Sequence, residues 1–379
     1  MRIGINVRHL SEPNTGLGIY MNSLLHAISR IDQKTQYILY APPGTSIPDF
    51  GKNFIRCYCM TKGIHDFDSH FCDTREFSKS APDIVHLQHC IVPRSKGIKK
   101  IHVTITLHDL MPYVFFSRLM IQHPELINLL SMKSFLSIPV FRQSAKKASH
   151  IFAVSNSTLR DCLNAFKNVS DKTTLALNGI DPLFTRPAQK IAISQALHKY
   201  GISQPYLINF SGLTARKNTS RLVQAWLHLP PEIRKSCRLV ITGEGSKKAS
   251  LSKKLEKVRD HGIVFTGYAS RDMLHALLSG AAASLYVSLY EGFGLPVLES
   301  LGCRVPVIAS NISSLGEIMR DHVIHVDPFS RKEITHAMEI IFEKKHPAPD
   351  WHTVKRDLAK YSWEKSAETM IRVWRQLLA

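Results

Sequence analysis

The sequence predicts an α/β protein that contains two doubly wound parallel sheets. The chain has 379 residues, more than a single hydrophobic core usually accommodates. Short apolar runs typical of strands alternate with helical patterns along the whole chain, which is typical of parallel sheets with crossover helices. Pro182, Pro187 and Pro205 cluster near the middle, where one set of these runs ends and the next begins. These observations together indicate two domains.

Each half supplies its own set of strands and helices. The first-half strands are Arg2–Val7, Tyr37–Tyr40, Phe54–Tyr58, Ile84–Leu87, His102–Leu107, His150–Val154 and Thr173–Leu177, with helices near Gly18–Ser29, Pro124–Lys147 and Ser157–Phe166. The second-half strands are Tyr206–Phe210, Leu239–Thr242, Ile263–Thr266, Ala283–Val287, Val305–Ala309 and Ile324–Val326. Its helices are Thr219–Leu229, Ser246–Arg259, Arg271–Leu278, Leu295–Leu301, Leu315–Met319 and Lys332–Glu343. We therefore expect a first domain over residues 1–188 and a second over 189–362.

The end of the chain predicts one more helix, over residues 363–379. Trp363, Ala367, Met370 and Trp374 recur at helical spacing and form a single apolar stripe. Such a stripe needs a surface to cover. That surface is either the second domain or, if the chain crosses back, the first.

Composition and cysteine use indicate a soluble cytoplasmic protein. The apolar fraction is 44% and the charged fraction 21%, with no apolar run long enough for a transmembrane helix. The N-terminus has the pattern of a strand and lacks the features of a signal peptide. Of the seven cysteines, only Cys57 and Cys59 form a close pair, and no second pair of that kind accompanies them. We expect reduced thiols.

The net charge of +19 narrows the choice of partners. It fits an anionic membrane surface, a nucleic acid or a negatively charged small substrate. No helix-turn-helix, RNA-binding motif or zinc finger accompanies the charge, which disfavours nucleic acid. The segment Val114–Arg142 mixes apolar bulk with Arg118 and Lys133. That mixture suits an interfacial helix on anionic lipid, or a core helix with solvated basic edges.

A glycine-rich turn after the strand Ala283–Val287 is the most informative local pattern. Gly292 and Gly294 permit a tight turn, and Pro296 suits the first turn of a helix. A helix start of this kind presents free N–H groups and a positive dipole end to an anion such as a diphosphate. Glu291 and Glu299 flank the turn, and their carboxylates can accept hydrogen bonds from sugar hydroxyls. The alternative is a helix-capping glutamate plus a solvated one.

Two other turns also follow predicted strands. Arg216 and Lys217 follow Tyr206–Phe210, at a strand end where open α/β sheets bind ligands. Two fixed cations there would stabilise the charge that develops on a diphosphate leaving group, although a solvated basic pair is the alternative. Gly16 and Gly18 form a second possible backbone cradle for phosphate. They do not complete the dinucleotide fingerprint, which disfavours an NAD-dependent oxidoreductase.

With these residues in place, the sequence resembles the retaining family 4 glycosyltransferases, which have the GT-B fold. Glu291 to Glu299 is similar to the E-x(7)-E element of that family. Further landmarks follow in the expected order: Gly16-Leu17-Gly18, Leu107–Leu110, Val154–Ser157, Asn178–Asp181, Ser211–Asn218, Gly243–Gly245 and Gly267-Tyr268. The stretch Ser211–Ala215 departs mildly from the usual Gly-x-Leu-x-Pro form, but the basic pair after it is kept.

The resemblance implies two Rossmann-like domains that face each other across a cleft, the first binding the acceptor and the second the donor. It implies transfer of a hexosyl group from a nucleotide diphosphate sugar with retention of configuration. The implied catalytic residues are His108, Glu291, Arg216 and Lys217. The implied donor-binding residues are Gly16, Gly18, Gly212, Gly243, Glu244, Gly292, Phe293, Gly294, Leu295 and Glu299. None of the landmark stretches above contains an Asp-x-Asp metal motif, so we expect no metal and no other cofactor.

Roles follow from the same resemblance. Glu291 would hold the sugar hydroxyls, Glu299 the ribose, and Arg216 and Lys217 the diphosphate. His108 would position the sugar, the alternative being an ordinary core histidine. We expect GDP-mannose, a UDP-sugar or dTDP-rhamnose as donor, and a glycan or lipid-linked acceptor of lipopolysaccharide, O-antigen or exopolysaccharide synthesis. The protein would be cytoplasmic and peripheral on an anionic membrane. A non-catalytic nucleotide-binding or scaffold protein is the other alternative.

Overall fold

A computed structural model describes residues 1–58, 79–88, 101–114, 117, 123, 132–210, 215–243, 261–343, 345 and 347–379. These residues form two compact units. The first comprises residues 1–179 and 361–379, and the second comprises residues 180–360. The chain therefore enters the second unit at Ile180, slightly before the boundary expected after residue 188. It returns to the first unit for the C-terminal helix.

The first unit is built on a seven-stranded parallel sheet with the order β3-β2-β1-β4-β5-β6-β7. The strands are β1 (Arg2–Asn6), β2 (Gln36–Ala41), β3 (Phe54–Tyr58), β4 (Ile84–Leu87), β5 (His102–Leu107), β6 (His150–Ala153) and β7 (Thr173–Leu175). The strand order reverses between β1 and β4, where crossovers leave toward opposite faces and open a crevice at the carboxyl ends. The first glycine-rich turn and Gln88 follow these two strands.

The first sheet is covered by helices of the first unit, including the C-terminal helix of the chain. The described helices are Gly16–Ile31, Met111–Val114, Met132–Lys147, Asn156–Ala165 and the C-terminal helix Trp363–Leu378. The C-terminal helix packs on Gly16–Ile31, so its apolar stripe covers the first unit. Trp374 is fully buried there, and its indole N–H donates to Oγ1 of Thr104 at 3.1 Å. This bond satisfies a buried donor that the apolar environment would otherwise penalise.

The second unit is built on a six-stranded parallel sheet with the order β10-β9-β8-β11-β12-β13. The strands are β8 (Tyr206–Phe210), β9 (Arg238–Thr242), β10 (Ile263–Gly267), β11 (Ala283–Tyr286), β12 (Val307–Ser310) and β13 (Ile324–Val326). The order reverses between β8 and β11, which are neighbours in the sheet. The turn with Arg216 and Lys217 leaves β8, and the turn with Glu291 leaves β11. The sheet topology therefore brings the two candidate turns to one crevice of this unit.

The second sheet is covered by helices on both faces, as parallel sheets require. The described helices are Lys190–Tyr200, Thr219–Leu227, Pro231–Ser236, Arg271–Ser279, Leu295–Gly302, Arg331–Phe342 and Trp351–Leu358. One core cluster contains the fully buried Trp226, Leu285 and Met338, and a second contains Phe184 and Tyr206. These clusters fix the sheet on which the candidate site stands.

Several predicted elements differ from the structure. The predicted helix Leu315–Met319 was wrong: Ser313–Gly316 forms a 3-10 turn, and Met319 adopts a left-handed φ of +51° that ends helical geometry. The sequence predicted no helix or strand in the proline-containing stretch between the two sets of runs, yet Lys190–Tyr200 is helical and ends at Gly201 in a left-handed cap. The predicted helix Ser246–Arg259 and most of the segment Val114–Arg142 lie outside the described residues. Within the described ranges, no helix is long and apolar enough to cross a bilayer.

Candidate functional site

The turn after β11 is shaped by a glycine and a proline. Gly294 has a φ of +122°, and a Cβ atom built there would lie 2.9 Å from Cδ2 of Leu315. The conformation disfavours any residue other than glycine, and a side chain would in addition require Leu315 to shift. Pro296 then sits in the first turn of the helix Leu295–Gly302, where its missing N–H is not needed. The turn therefore has the strand, tight turn and helix start expected from the sequence.

Glu291 is held in this turn through its own backbone. Its N–H donates to Oγ of Ser313 at 3.1 Å, and its carbonyl accepts from Oγ of Ser314 at 2.9 Å. The 3-10 turn Ser313–Gly316, which replaces the predicted helix, therefore supports the candidate residue. The side chain of Glu291 is only 14% exposed, so a fixed backbone largely fixes the carboxylate as well.

Arg216 and Lys217 both contact the Glu291 carboxylate. Arg216 Nη1 lies 2.6 Å from Oε2, and Lys217 Nζ lies 2.7 Å from Oε1. Arg216 Nη1 also donates to the carbonyl of Tyr290 at 2.9 Å, and the N–H of Leu289 donates to the carbonyl of Arg216. The structure thus unites three of the predicted catalytic residues. It pairs the two cations with Glu291, a contact that the sequence did not predict.

The charge of Glu291 follows from this pairing. Burial alone would raise the pKa of its carboxyl, but the charges of Lys217 and Arg216 outweigh burial and lower that pKa to about 2. The carboxylate is therefore ionised at neutral pH. It is an acceptor-only group with one cation on each oxygen.

Glu299 is more deeply buried than Glu291 and lies on the helix Leu295–Gly302, which follows the turn. It is 3% exposed, and its Oε1 lies 3.0 Å from Nη2 of Arg271. The same Nη2 lies 2.6 Å from Oδ2 of Asp181. The guanidinium also lies 4.4 Å from the centroid of the Phe184 ring. Glu299, which the resemblance assigns to ribose, is thus one carboxylate of a partly buried ion triad.

The sequence placed Arg271 at the start of a helix but indicated no functional role for it. Asp181 appeared only as the end of the Asn178–Asp181 landmark, with no role assigned. Arg271 is the first residue of a helix and resembles any of the 49 basic residues of the chain. No sequence signal distinguishes it, because its partners come from two distant segments.

In the first unit, His108 follows β5 and lies beside the Tyr20 ring and the Gln88 side-chain amide. The Tyr20 ring meets it edge-on with centroids 4.5 Å apart, and His108 Nε2 lies 3.3 Å from Oε1 of Gln88. Burial, with a smaller contribution from His9, lowers the pKa of His108 to about 3. The imidazole is therefore neutral. Gln88 is 3% exposed, and among the described residues its Nε2 has no hydrogen-bond partner. No feature of the sequence distinguishes Gln88 either.

The predicted glycines differ in what their positions require. Gly18 is buried at the start of the helix Gly16–Ile31, and a Cβ there would collide with the carbonyl of Glu12. Gly16 has open space around it and does not need to be glycine on steric grounds. Gly243 follows β9 with a φ of +122°. Gly292 and Phe293 are buried within the turn after β11, and Leu295 begins the helix. Gly212 and Glu244 lie outside the described residues.

Two family comparisons cover most of the chain. Residues 16–183 match the family described as Glycosyltransferase Family 4. Residues 196–357 match the family described as Glycosyl transferases group 1. The first match lies within the first unit apart from its last few residues, and the second match lies within the second unit.

Individual relatives are similar over part of their length. The chain is 30% identical over 246 residues to the O-antigen chain mannosyltransferase B of Escherichia coli, a match over 62% of each protein. It is 26% identical over 269 residues to the serotype-specific mannosyltransferase WbdA of Escherichia coli, which covers 67% of this chain and 33% of WbdA. The match therefore spans less than two thirds of either relative.

A solved structure is similar over nearly the whole chain. Anabaena Alr3699/HepE in complex with UDP-glucose superposes with a TM-score of 0.72 and 14% identity, covering 99% of this chain and 100% of that one. At this identity the likeness concerns the fold. Together with the two parallel sheets, it confirms the predicted GT-B fold.

Proposed function

Because the chain belongs to the glycosyltransferases that carry these two domains, we propose that it transfers a hexosyl group from a nucleotide diphosphate sugar to a hydroxyl group, with retention of configuration. The observation that carries the proposal is the pair of contacts from Arg216 and Lys217 to Glu291, at 2.6 and 2.7 Å. The pair stands at the strand-order reversal of the second sheet, where ligands bind in open α/β folds.

The two cations are suited to a diphosphate. Their side chains keep 29% and 21% exposure, so both can reach a ligand while they contact the carboxylate. A diphosphate leaving group gains negative charge as its bond to the sugar breaks. Cations that are already fixed stabilise that charge without reorganisation, and they act most strongly where water is excluded.

Glu291 is suited to binding and not to attack. A carboxylate with a cation on each oxygen is a weak nucleophile, but it still accepts hydrogen bonds from sugar hydroxyls. We therefore infer a front-face route. The acceptor hydroxyl attacks the anomeric carbon on the side from which the diphosphate leaves, and its proton passes to a phosphate oxygen. The neutral His108 would position the transferred sugar, as the resemblance implies.

The relatives direct the choice of substrate. Two of them are mannosyltransferases, one of the O-antigen chain, and a structural neighbour was solved in complex with UDP-glucose. We propose GDP-mannose, a UDP-sugar or dTDP-rhamnose as the donor. The acceptor would be a glycan or a lipid-linked glycan of lipopolysaccharide, O-antigen or exopolysaccharide synthesis, met in the cytoplasm.

A panel of donors tests the proposal directly. The protein is incubated with GDP-mannose, UDP-glucose and dTDP-rhamnose, and slow hydrolysis of the donor is measured. Thermal shifts are recorded with GDP, UDP, dTDP and NAD. We expect hydrolysis of one donor and stabilisation by its nucleotide. Stabilisation by NAD alone would favour an oxidoreductase, and nucleotide binding without hydrolysis or transfer would favour a non-catalytic protein.

Metal independence and membrane contact are separate proposals. Two side-chain cations can neutralise a diphosphate as a divalent metal does, so EDTA should leave donor hydrolysis unchanged. The net charge of +19 supports reversible contact with anionic lipid, where each basic residue contributes about 1 kcal/mol. Flotation with anionic vesicles should fall as salt rises, because salt screens exposed charges. No flotation at low salt would favour a soluble acceptor.

A further inference from the structure

Arg271 joins three separate elements of the second unit through one nitrogen. Its Nη2 lies 2.6 Å from Asp181 and 3.0 Å from Glu299. Arg271 begins the helix Arg271–Ser279 after β10, whereas Asp181 precedes the 3-10 turn Pro182–Thr185. The Phe184 ring, fully buried on that turn, lies under the guanidinium. The two ion pairs and the ring together fix the orientation of the guanidinium plane.

Whether the Glu299 carboxyl is ionised depends chiefly on Arg271. Among the described residues, the titratable groups that face Glu299 are Arg271, Asp181, the Tyr286 hydroxyl and the Cys303 thiol. Burial raises the pKa of the Cys303 thiol to about 12 and raises the pKa of Tyr286, so both stay neutral. Burial also raises the pKa of Glu299, and Arg271 opposes that rise. Arg271 is the cation of this set.

We propose that Arg271 is a positioning residue that keeps Glu299 negatively charged, so that Glu299 accepts hydrogen bonds from the ribose hydroxyls of the nucleotide, and that Asp181 fixes Arg271 for this purpose. The inference rests on the proposed function, which assigns Glu299 to ribose. Arg271 occupies Oε1, and no residue within the described ranges hydrogen-bonds to Oε2. An ionised Oε2 accepts from a hydroxyl, whereas a protonated carboxyl would lose an acceptor site.

Substitutions of Arg271 and Asp181 should change the ionisation of Glu299 in opposite directions, because the two side chains carry opposite charges. Arg271→Gln removes the only cation of the set and leaves a buried carboxylate unpaired, which favours its protonated form. Ribose binding is then lost at neutral pH and returns as the pH rises and Glu299 ionises. Asp181→Asn removes a like charge, so Glu299 ionises more readily and binding persists to lower pH. The asparagine can still accept from the N–H of Leu183, which the aspartate caps at 2.9 Å.

The experiment compares nucleotides with and without ribose hydroxyls. GDP and UDP, and the 2′,3′-dideoxy form of whichever binds, are titrated calorimetrically from about pH 6 to about pH 9, the range in which a buried carboxyl can titrate. The proteins are wild type, Arg271→Gln, Arg271→Lys and Asp181→Asn, with the exposed Arg331→Gln as the matched control. We expect wild type and control to prefer the ribose form by roughly tenfold or more, as charge-assisted hydrogen bonds suggest.

The outcomes separate the possibilities. Arg271→Gln should lose the preference at low pH and regain it at high pH, while its affinity for the dideoxy form stays unchanged throughout. Arg271→Lys should retain most of the preference. A constant ribose preference at every pH in Arg271→Gln would overturn the inference and leave Arg271 a structural residue. If that variant does not fold, the shift of the profile to lower pH in Asp181→Asn decides. A wild-type protein that binds no nucleoside diphosphate would instead refute the proposed function.

Discussion

Lys217 Nζ donates to Oε1 of Glu291 at 2.7 Å. A residue expected to bind the diphosphate therefore contacts a residue expected to bind the sugar. Arg216 holds the other carboxylate oxygen. These residues are far apart in sequence and meet because β8 and β11 are adjacent strands. A substitution at Glu291 therefore changes both the carboxylate and the charge that its two cations offer to a ligand.

Replacing Glu291 should separate binding from transfer. Glu291→Gln frees both cations, so binding of the cognate nucleoside diphosphate should be preserved or tighter. Transfer should fall by roughly a hundredfold or more, because a group that acts mainly in the transition state is lost. Calorimetry and a transfer assay measure the two effects. The exposed Glu232→Gln is the matched control, and a folded Glu291→Gln with normal turnover would contradict the assignment.

Glu291 should also make stability depend on acid pH. Its pKa is lowered from the ordinary 4.5 to about 2 in the fold, so its stabilising contribution is complete above the unfolded value and is lost as pH falls toward 2. That shift corresponds to on the order of 3 kcal/mol. Urea unfolding of wild type and Glu291→Gln should differ most near neutrality. The difference should shrink as the pH falls from about 5 toward 2, because the carboxyl of the unfolded chain is protonated in that range while the folded one stays ionised until the pH is near 2. A constant difference would argue against the ion pairs.

Lys217→Ala should discriminate between ligands by their charge. If the ammonium contacts phosphate, affinity for a nucleoside diphosphate should fall by roughly tenfold or more, while affinity for the nucleoside hardly changes. Lys235→Ala removes an exposed cation of the same unit and should leave both affinities unchanged. Equal losses for the diphosphate and the nucleoside would place Lys217 away from the phosphates.

The sequence predicted most of the scaffold because apolar runs and glycine turns mark strand ends locally. It placed Glu291 and the basic pair on turns at strand ends, and the sheet order of the second unit brings those turns together. It did not predict the Glu291 ion pairs or the triad around Arg271. Such contacts depend on which side chains meet across segments, and hydrophobic patterning carries no signal for that. The helix Lys190–Tyr200 was missed for a simpler reason, since flanking prolines suggest a linker.

Gln88 should control the state of His108. Gln88 Oε1 accepts a hydrogen bond from His108 Nε2 at 3.3 Å, which requires the Nε2–H tautomer and leaves Nδ1 as an acceptor. Gln88→Leu removes the acceptor and should allow the other tautomer, which nitrogen-15 NMR of the imidazole detects directly. If Nδ1 receives a sugar hydroxyl, kcat for transfer should fall by roughly tenfold, as expected when one positioned hydrogen bond is lost.

The matched control for Gln88→Leu is Gln376→Leu, an exposed substitution in the same unit. Gln88→Glu is informative in addition. It keeps an acceptor at the same place and adds a negative charge, which should raise the pKa of His108 from its value of about 3 while preserving the Nε2–H tautomer. Transfer by Gln88→Glu should therefore exceed that of Gln88→Leu at neutral pH and decline as the pH falls and His108 protonates. An unchanged imidazole spectrum and unchanged kcat in Gln88→Leu would show that Gln88 does not position His108.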